Sequence, residues 1–254
     1  MTRRRKRTML VDGDILAYMV STQCEVPVNW KDDLWTLHSD FKEVKSKFEI
    51  LVSSYQEMLL ANNVVFTFTD KKNFRKKILP TYKFKRKNKR KPVTYEALKE
   101  YVTKTYDTFT FPWLEGDDCL GLLATSGMIS GDKVILTKDK DLRTIPSTIW
   151  FMQGNNYEEI TEKDADYNHM LQTISGDVAD GYSGVPKCGI KTAQKILADV
   201  KHDPVAMWHK VLETFKNAKL SEKEALVQAQ VARICRASDY DMKTNTPILW
   251  RQPL

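Results

Sequence analysis

The sequence predicts an α/β fold in which a parallel-sheet core is followed by a helical module. Short apolar runs alternate with helical patterns up to about residue 160, whereas the residues beyond Thr161 show mainly helical patterns. Alternating strands and helices are typical of α/β domains. With 254 residues, of which 42% are hydrophobic, the chain is long enough to build such a core. We therefore predict a core over residues 1–160 and a helical module over residues 161–254.

Three apolar runs predict strands that each end close to an acidic residue. In parallel α/β sheets, ligands bind outside the carboxyl ends of the strands, so acids placed there would meet at one edge. A fourth run, residues 149–152, predicts a further strand. The three runs and the acids after them are residues 8–11 with Asp12, residues 64–68 with Asp70, and residues 134–136 with Asp139 and Asp141.

Apolar side chains at helical spacing predict the helices. Residues 33–61 predict one long helix or a broken pair, with Leu34 and Leu37 on its buried face. Residues 115–126 predict a helix whose first turn is acidic. The other predicted helices are residues 92–108, 161–174, 190–199, 204–217 and 221–237, and a last strand is predicted at residues 247–250.

Nine acidic residues in short clusters predict a metal site. Carboxylates gathered at strand ends and helix starts would repel one another unless divalent cations neutralised them. The four Cys and four His residues show no metal-ligand spacing, so oxygen ligands are expected, with Mg²⁺ as the ion and Mn²⁺ as a substitute. Alone, the clusters also have structural interpretations: a turn after a strand at Asp12, stabilisation of a helix start at residues 115–118, and a solvated helix end at residues 177–180. The nine residues are Asp12, Asp70, Glu115, Asp117, Asp118, Asp139, Asp141, Asp177 and Asp180.

The acids between residues 158 and 164 have a different pattern. Thr161 is followed three residues later by Asp164, which is the spacing of a helix cap. We therefore assign Glu158, Glu159, Glu162 and Asp164 to structure or solvent.

Charge is divided unevenly along the chain. Residues 71–91 hold twelve Lys or Arg and no acid, and residues 3–7 hold five more. Once these seventeen positive charges are taken from the net charge of +7, the rest of the chain carries −10. Phe74, Tyr82 and Phe84 lie among the cations, which suits stacking on unpaired bases as well as phosphate contact. The basic run predicts nucleic-acid binding; a solvated or disordered loop is the structural alternative.

A glycine-containing turn before a predicted helix is a second candidate phosphate site. Residues 184–193 read Gly-Val-Pro-Lys-Cys-Gly-Ile-Lys-Thr-Ala. Such turns present backbone N–H groups to phosphate, and Lys187 and Lys191 add positive charge. A plain connection between two helices is the structural alternative.

The order of these motifs resembles a known superfamily. The chain is similar to the 5′-nucleases, which comprise flap endonucleases and 5′→3′ exonucleases, and among them to the exonucleases of T7-like bacteriophages. Its final residues 248–253, Ile-Leu-Trp-Arg-Gln-Pro, add to the likeness to that phage group. The motifs that carry the resemblance are Val11-Asp12-Gly13-Asp14, Phe68-Thr69-Asp70, Pro80-Thr81-Tyr82-Lys83, Leu114-Glu115-Gly116-Asp117-Asp118, Lys138-Asp139-Lys140-Asp141, and residues 176–193.

The resemblance implies a PIN-like core, a basic helical arch over about residues 71–108, and a helix-three-turn-helix element over about residues 176–200 that binds duplex DNA. It also implies hydrolysis of phosphodiester bonds by two Mg²⁺ ions. By motif, Tyr82 and Lys83 begin the arch, with the lysine near the scissile phosphate and an aromatic residue against the terminal base. The ligands of the first ion would be Asp12, Asp70, Glu115, Asp117 and Asp118. Those of the second ion would be Asp139, Asp141, Asp177 and Asp180.

The expected substrates are duplex, nicked or flapped DNA, with RNA/DNA hybrid as a further one and replication-fork proteins as partners. DNA contacts are expected from Lys76, Lys77, Lys85, Arg86, Lys87, Lys89, Arg90, Gly184, Lys187, Gly189, Lys191 and Thr192.

Two other functions remain open. A PIN-type ribonuclease could share the acidic core, and a non-catalytic nucleic-acid-binding protein could share the basic segments but would not need nine acids. No apolar run reaches the roughly 18 residues that span a bilayer, so a cytoplasmic protein without signal peptide or membrane anchor is expected.

Overall fold

A six-stranded, mostly parallel sheet lies at the centre of the computed structural model, which describes residues 6–86 and 89–253. The strands are β1 (Arg7–Asp12), β2 (Val26–Asn29), β3 (Trp35–His38), β4 (Asn63–Thr67), β5 (Asp107–Phe109), β6 (Asp132–Thr137), β7 (Ser147–Phe151), β8 (Asn156–Ile160), β9 (Tyr240–Asp241) and β10 (Thr246–Pro247). The α-helices are α1 (Gly13–Gln23), α2 (Phe41–Met58), α3 (Arg75–Ile78), α4 (Tyr95–Thr105), α5 (Gly116–Thr125), α6 (Glu162–Ser175), α7 (Ile190–Ile196), α8 (Pro204–Asn217) and α9 (Glu222–Ala232). Short 3₁₀ helices occupy Phe84–Arg86, Lys140–Thr144 and Ala237–Asp239.

The sheet has the order β5-β4-β1-β6-β7-β8, in which the first five strands run parallel and β8 is antiparallel to β7. The predicted α/β fold with a parallel-sheet core is confirmed. Strand β1 lies between β4 and β6, so that Val11 is flanked by Phe66 and Leu136. The acids that follow these three strands therefore leave the same edge of the sheet.

Side chains of the central strand alternate between the two faces of the sheet. Met9 and Val11 pack with α1, α2 and α4 on one face, whereas Leu10 packs with α5 on the other. All three are fully buried. Burial of each large apolar side chain contributes ~1.5–3 kcal/mol, and a shift by one residue would exchange the two faces. This two-sided core therefore sets the register of β1 and the position of Asp12 at its end.

Helices α6 to α9 form a separate apolar core around residues such as Trp208 and Phe215. The chain does not end in this module, because Ile234, Cys235 and Tyr240 pack with α5 in the core of the sheet. The residues after α9 therefore connect the helical module to the α/β core, which were predicted as separate parts divided at residue 160.

The predicted helix or broken pair over residues 33–61 is wrong at its N-terminal end. Residues 26–38 form an antiparallel hairpin of β2 and β3, and α2 begins after it. Residues 31–33 all have positive φ angles, which turn the chain between the two strands. Leu34 and Leu37, which helical spacing predicts to be buried, are 59% and 39% exposed. A short hairpin with apolar residues can imitate helical spacing because only a few positions are compared.

The basic segment differs from the helical arch implied over residues 71–108. Within the described residues, its helical parts are the four-residue α3, the 3₁₀ turn at residues 84–86 and α4. Helix α4 belongs to the core, because Leu98 and Val102 are fully buried against α1 and α2. In the described residues, helix therefore covers less of this segment than the resemblance implies, and most of its basic residues lie outside α-helices.

The remaining elements match the sequence more closely. The predicted helices at residues 161–174, 190–199 and 204–217 correspond to α6, α7 and α8. Helix α9 ends at Ala232 rather than at residue 237, and strands β5 and β8 were not predicted. The last predicted strand is the two-residue β10. In the described part of the chain, no helix is long and apolar enough to cross a membrane.

Gly121 offers a test of the packing between α5 and the chain after α9. A Cβ atom at this position would lie 2.2 Å from the carbonyl oxygen of Cys235. Gly121→Ala is therefore expected to lower the free energy of unfolding by about 1–3 kcal/mol, measured by urea denaturation. Gly127→Ala is the control, since a Cβ there would meet no atom within 4 Å. Equal stability of the two variants would contradict the packing.

Candidate active site

Eight of the nine predicted acids line one cleft at the carboxyl ends of β1, β4 and β6. The cleft has a volume of about 730 Å³ and also contains Arg75, Tyr82, Lys83 and Arg86. Acids from five separate segments of the chain thus share one space. The eight are Asp12, Asp70, Glu115, Asp117, Asp139, Asp141, Asp177 and Asp180.

Local backbone geometry fixes the central acids. Asp12 ends β1 and caps α1, with its Oδ1 accepting the N–H of Ile15 at 3.0 Å. Asp139 follows β6 and caps a 3₁₀ helix, with its Oδ1 accepting the N–H of Asp141 at 2.8 Å. Asp117 lies in the first turn of α5. Caps satisfy backbone donors that a helix start leaves free, so these side chains have limited freedom.

The central carboxyls resist ionisation. Burial, together with the charges of Asp14 and Asp139, raises the pKa of Asp12 to about 7. Burial and the neighbouring Asp12 and Asp139 raise the pKa of Asp117 well above its usual range. In residues 6–86 and 89–253, no N–H or hydroxyl group reaches the buried Oδ1 of Asp117. Both carboxyls would be stabilised as anions by a cation.

The carboxyl group of Asp141 also resists ionisation. Burial, with the charges of Asp139 and Asp177, raises the pKa of Asp141 to about 7. Even so, no three Asp, Glu, His or Cys side chains of the described chain already form a closed cation cage. The donor set consists of oxygens, which suits hard cations that retain part of their water shell.

Asp177 and Asp180 reach the cleft from a turn. Asp177 and Tyr182 exchange two backbone hydrogen bonds, which closes the turn. The Oδ1 of Asp177 accepts the N–H groups of Ala179 and Asp180. Gly181 has a φ of +83°, and a Cβ there would lie 2.4 Å from the carbonyl oxygen of Thr81. The close approach of this turn to the basic segment therefore requires glycine.

Lys83 lies between acids from two parts of the chain. Its Nζ is 2.5 Å from Oε1 of Glu115 and 3.6 Å from Oδ2 of Asp180. Its backbone N–H also donates to the carbonyl oxygen of Asp180 at 2.6 Å, and its φ is +53°. Burial lowers the pKa of Lys83, but the two carboxylates outweigh burial and raise it. The ammonium group therefore stays charged inside the cleft.

Glu115 is the most strongly neutralised acid of the cleft. Burial opposes its ionisation, but Lys83 and Arg75 outweigh burial and lower its pKa to about 2. The hydroxyl group of Tyr82 donates to its Oε2 at 2.7 Å. Three donors thus surround one carboxylate and hold its orientation.

The aromatic residues of the basic segment differ in exposure. Tyr82 is 4% exposed, and Phe74 is also buried, so neither presents a ring face to an unpaired base. The stacking expected of Tyr82 is therefore corrected: its contact is with Glu115. Phe84 is 69% exposed and keeps a ring available for stacking.

Asp118 is separated from the other eight acids. It is fully buried and forms a two-pronged ion pair with Arg75, at 2.6 and 2.7 Å. Its oxygens also accept the N–H groups of Glu115 and Cys235. Asp118 is part of the capping box at the start of α5. Because neighbouring residues on a helix point in different directions, Asp118 faces away from the side on which Asp117 lies. The structure therefore removes Asp118 from the metal-ligand set.

Asp70 lies at the rim of the cleft. Burial raises its pKa, but the N–H groups of Trp113, Lys71 and Lys72 outweigh burial and lower it. The Oδ2 of Asp70 accepts the Trp113 N–H at 2.8 Å. This carboxylate is therefore charged and oriented by the backbone.

Asp14 and Arg75 are among the cleft residues that the sequence did not predict. Asp14 accepts hydrogen bonds from the Tyr95 hydroxyl and the Thr69 N–H and lies 3.6 Å from Lys99. The Asp-Gly-Asp motif contains a signal for it. Arg75 is 3% exposed, but nothing in a run of cations distinguishes one buried arginine from its exposed neighbours.

The expected DNA contacts of the basic segment lie on the surface but are not equivalent. Lys77 lies 3.8 Å from the centre of the Trp113 ring. Arg86 pairs with Asp180, and Arg90 forms a two-pronged ion pair with Glu25. Among the expected contacts in this segment, the exposed ones are Lys76, Lys77, Lys85, Arg86, Lys89 and Arg90, while Lys87 lies outside the described residues.

The turn before α7 also presents most of its expected contacts. Lys187, Gly189, Lys191 and Thr192 are exposed. Gly184 is buried, and its N–H donates to Oε1 of Gln228 at 2.9 Å, so this N–H is not available to phosphate. The expectation that Gly184 contacts DNA is therefore corrected.

A family model described as the N-terminal resolvase-like domain of 5′-3′ exonuclease matches residues 7–170. The exonuclease of Escherichia phage T7 is 30% identical over 97% of this chain and 94% of its own length. This chain belongs to the 5′-3′ exonuclease family. The exodeoxyribonuclease of Enterobacteria phage T3 is also 30% identical, over 96% of this chain and 93% of its own length. The superfamily predicted from the ordered motifs is confirmed.

Solved structures share the fold of this exonuclease family member. The 5′-exonuclease of phage T5 with bound zinc ions has a TM-score of 0.66 at 18% identity, over 89% of each chain. The T5 flap endonuclease with DNA and metal ions has a TM-score of 0.67 at 16% identity, again over 89% of each chain. The catalytic core of Rad2 with a DNA substrate has a TM-score of 0.55 at 15% identity, over 98% of this chain and 84% of the other.

The raised pKa values lead to an expected pH dependence of stability. Asp12 and Asp141 have pKa values of about 7 in the folded protein and regain the ordinary value of 3.8 on unfolding. The folded protein binds these two protons more tightly than the unfolded chain does. Their contribution to the free energy of unfolding is therefore full below about pH 4 and is lost as the pH rises through about 7. Thermal unfolding midpoints in EDTA should fall between about pH 5 and pH 8, by ~2–4 °C for each kcal/mol lost. Mg²⁺ should restore them at the higher pH.

Asp141→Asn should reduce both the fall with pH and the recovery with Mg²⁺, because one buried ionisable group is removed. Asp107→Asn, on the exposed surface of β5, is the matched control and should leave both unchanged. A midpoint that stays constant between these pH values in EDTA would contradict the electrostatic description of the cleft.

Proposed function

We propose that this protein is an Mg²⁺-dependent 5′→3′ exonuclease that hydrolyses phosphodiester bonds of DNA from or near 5′ ends. The supporting observation is the cleft that is lined by the eight predicted carboxylates and holds a half-buried, charged lysine paired with two of them. Carboxylates bind divalent cations, and a lysine beside them can offset phosphate charge. Duplex, nicked and flapped DNA are the substrates, in phage replication with primer removal, in recombination and in degradation of host DNA.

The carboxylates divide into two sets for two ions. Mg²⁺ is the proposed ion, with Mn²⁺ as a substitute, and water completes the coordination since the acids do not enclose an ion by themselves. Asp118 has no part in either set because Arg75 and two backbone N–H groups engage its oxygens. The first set is Asp12, Asp70, Glu115 and Asp117, and the second is Asp139, Asp141, Asp177 and Asp180.

The residues of the cleft have distinct parts in hydrolysis. Bound divalent ions supply activation of water and neutralisation of negative charge on the phosphate. Lys83, oriented by Glu115 and Asp180, places its ammonium group where it offsets charge that develops on the phosphate. Tyr82 orients Glu115 and makes no direct contact with a base. No side chain is required as a covalent nucleophile.

DNA is held by exposed cations on two sides of the cleft. The turn before α7 contacts the duplex backbone as the proposed helix-three-turn-helix element, and Phe84 stacks on an unpaired base. Arg90 is tied to Glu25 and is available only if that ion pair opens. The proposed contacts are Lys76, Lys77, Lys85, Arg86, Lys87, Lys89, Lys187, Gly189, Lys191 and Thr192.

RNA paired with DNA is a second proposed substrate, because the reacting phosphodiester is common to both strands. A matched set of 5′-labelled duplex, nicked, flapped and RNA/DNA hybrid substrates, with and without Mg²⁺, tests the proposal. Nucleotide release from DNA that stops on EDTA addition supports it, and cleavage of RNA alone would favour a PIN-type ribonuclease. Binding without cleavage would favour a non-catalytic protein. Interaction with replication-fork proteins stays a prediction.

Asp117→Asn and Asp139→Asn are expected to reduce cleavage by about a hundredfold or more while DNA binding persists. Each removes a carboxylate proposed to hold an ion and leaves the exposed cations unchanged. Single-turnover digestion measures the rate, and fluorescence anisotropy in EDTA measures binding. Glu159→Gln, on the exposed surface of β8, is the control. Full turnover in either Asn variant would refute its assignment.

Charge reversal at Lys85 and Lys89 is expected to weaken binding and flatten its salt dependence. Each lost duplex phosphate contact should reduce the slope of log K against log salt by about 0.9. Anisotropy titrations from low to moderate salt measure this slope for Lys85→Glu/Lys89→Glu. The matched control is Lys42→Glu/Lys47→Glu on α2, which does not line the cleft. The same slope in both double variants would argue against the basic segment as a DNA contact.

A further inference from the structure

The buried guanidinium group of Arg75 joins three parts of the protein. Its Nη1 and Nη2 bind both oxygens of Asp118, and Nη1 also lies 3.3 Å from Oε2 of Glu115. Its Nε donates to the carbonyl oxygen of Val231 at 2.8 Å, and its Nη2 donates to that of Arg233 at 2.5 Å. Arg75 therefore links the start of α5, where Glu115 lies, to the end of α9.

The same helix reaches the turn that carries Asp177 and Asp180. Gln228 lies almost one helical turn before Val231, and its Oε1 accepts the N–H of Gly184 at 2.9 Å. Gly184 follows that turn with a φ of +57°, and the carbonyl oxygen of Ile174 in α6 accepts the N–H of Val185. One short stretch of α9 thus contacts the turn at Gln228 and the active-site arginine at Val231.

The planar shape of the arginine is essential to this arrangement. A guanidinium group presents five N–H donors in fixed directions, whereas an ammonium group presents one point charge. Arg75 uses three nitrogens for two carboxylates and two backbone carbonyls at once. A movement of the end of α9 would therefore move the guanidinium group and the carboxylate of Glu115 with it.

We propose that Arg75 is a positioning residue that couples the seating of residues 176–184, through α9, to the placement of Glu115. The inference rests on the proposed nuclease function, because Glu115 matters there as an ion ligand and as the partner of Lys83. Arg75 acts through Glu115 and does not touch the substrate. When DNA occupies the turn before α7, α9 and Arg75 hold Glu115 in place for hydrolysis.

The first variant is Arg75→Lys, which retains a positive charge beside Asp118 but cannot make all the bonds. Single-turnover cleavage is expected to fall about tenfold or more, because small misplacements of catalytic groups carry large rate costs. The Mg²⁺ concentration for half-maximal rate should rise, while the Kd for DNA in EDTA should change less than about threefold. A role only in folding would lower the unfolding midpoint and leave the rate per folded molecule and its Mg²⁺ dependence unchanged.

The second variant, Gln228→Ala, breaks the other end of the connection at a residue that does not line the cleft. Gln230→Ala is its matched control, because Gln230 lies on the same helix and donates to the carbonyl oxygen of Trp250 instead. Gln228→Ala should slow single-turnover cleavage several-fold and Gln230→Ala should not. If Arg75→Lys does not fold, this pair of variants decides the question.

A double-variant cycle tests the coupling itself. Residues that act through one connection give non-additive effects, whereas independent residues multiply their rate effects. The double variant Arg75→Lys/Gln228→Ala should be no slower than Arg75→Lys alone. Multiplicative effects, or normal rates in both single variants while the wild type cleaves, would overturn the coupling. Absence of cleavage by the wild type would instead refute the proposed function.

Discussion

Repulsion among carboxylates is the constraint on which the rest of the structure depends. Eight of the predicted acids line one cleft together with Asp14 and Glu96, and burial with mutual repulsion raises the pKa of Asp12 and Asp141 to about 7. Such a site is costly for a protein unless protons or cations neutralise it. The two-sided core around β1 supplies the rigidity that keeps the acids together, because it leaves the strand ends no alternative register.

Two internal cations offset part of this repulsion in different ways. Lys83 is a flexible point charge between Glu115 and Asp180, while Arg75 is a fixed, fully engaged fork beside Asp118. The difference suits their positions: both groups line the cleft, but the guanidinium of Arg75 is also enclosed between α5 and the end of α9. Glu115 contacts both, so the best neutralised carboxylate of the cleft is also the one that connects it to the helical module.

The turn at residues 176–184 brings the helical module into the site. It contributes Asp177 and Asp180, receives the backbone of Lys83 and is joined to α9 through Gln228. A division of the chain at residue 160 separates the α/β elements from the helices, but it does not separate the site, because the cleft contains residues from both sides of it. The cleft is built from both parts, and neither would contain all the acids alone.

The sequence by itself determined the fold class, the family and eight of the acids in the cleft. It could do so because strand ends, helix starts and charge runs leave local patterns, and parallel strands bring their carboxyl ends to one edge. Only the tertiary structure decided that Asp118 pairs with Arg75, that Tyr82 and Phe74 are buried, and that residues 26–38 form a hairpin. Asp117 and Asp118 are adjacent acids with opposite surroundings, and Arg75 is one of twelve cations in its run. Asp118 and Arg75 are buried because they pair with each other, although they lie 43 residues apart in the sequence. Local sequence patterns do not reveal such distant contacts.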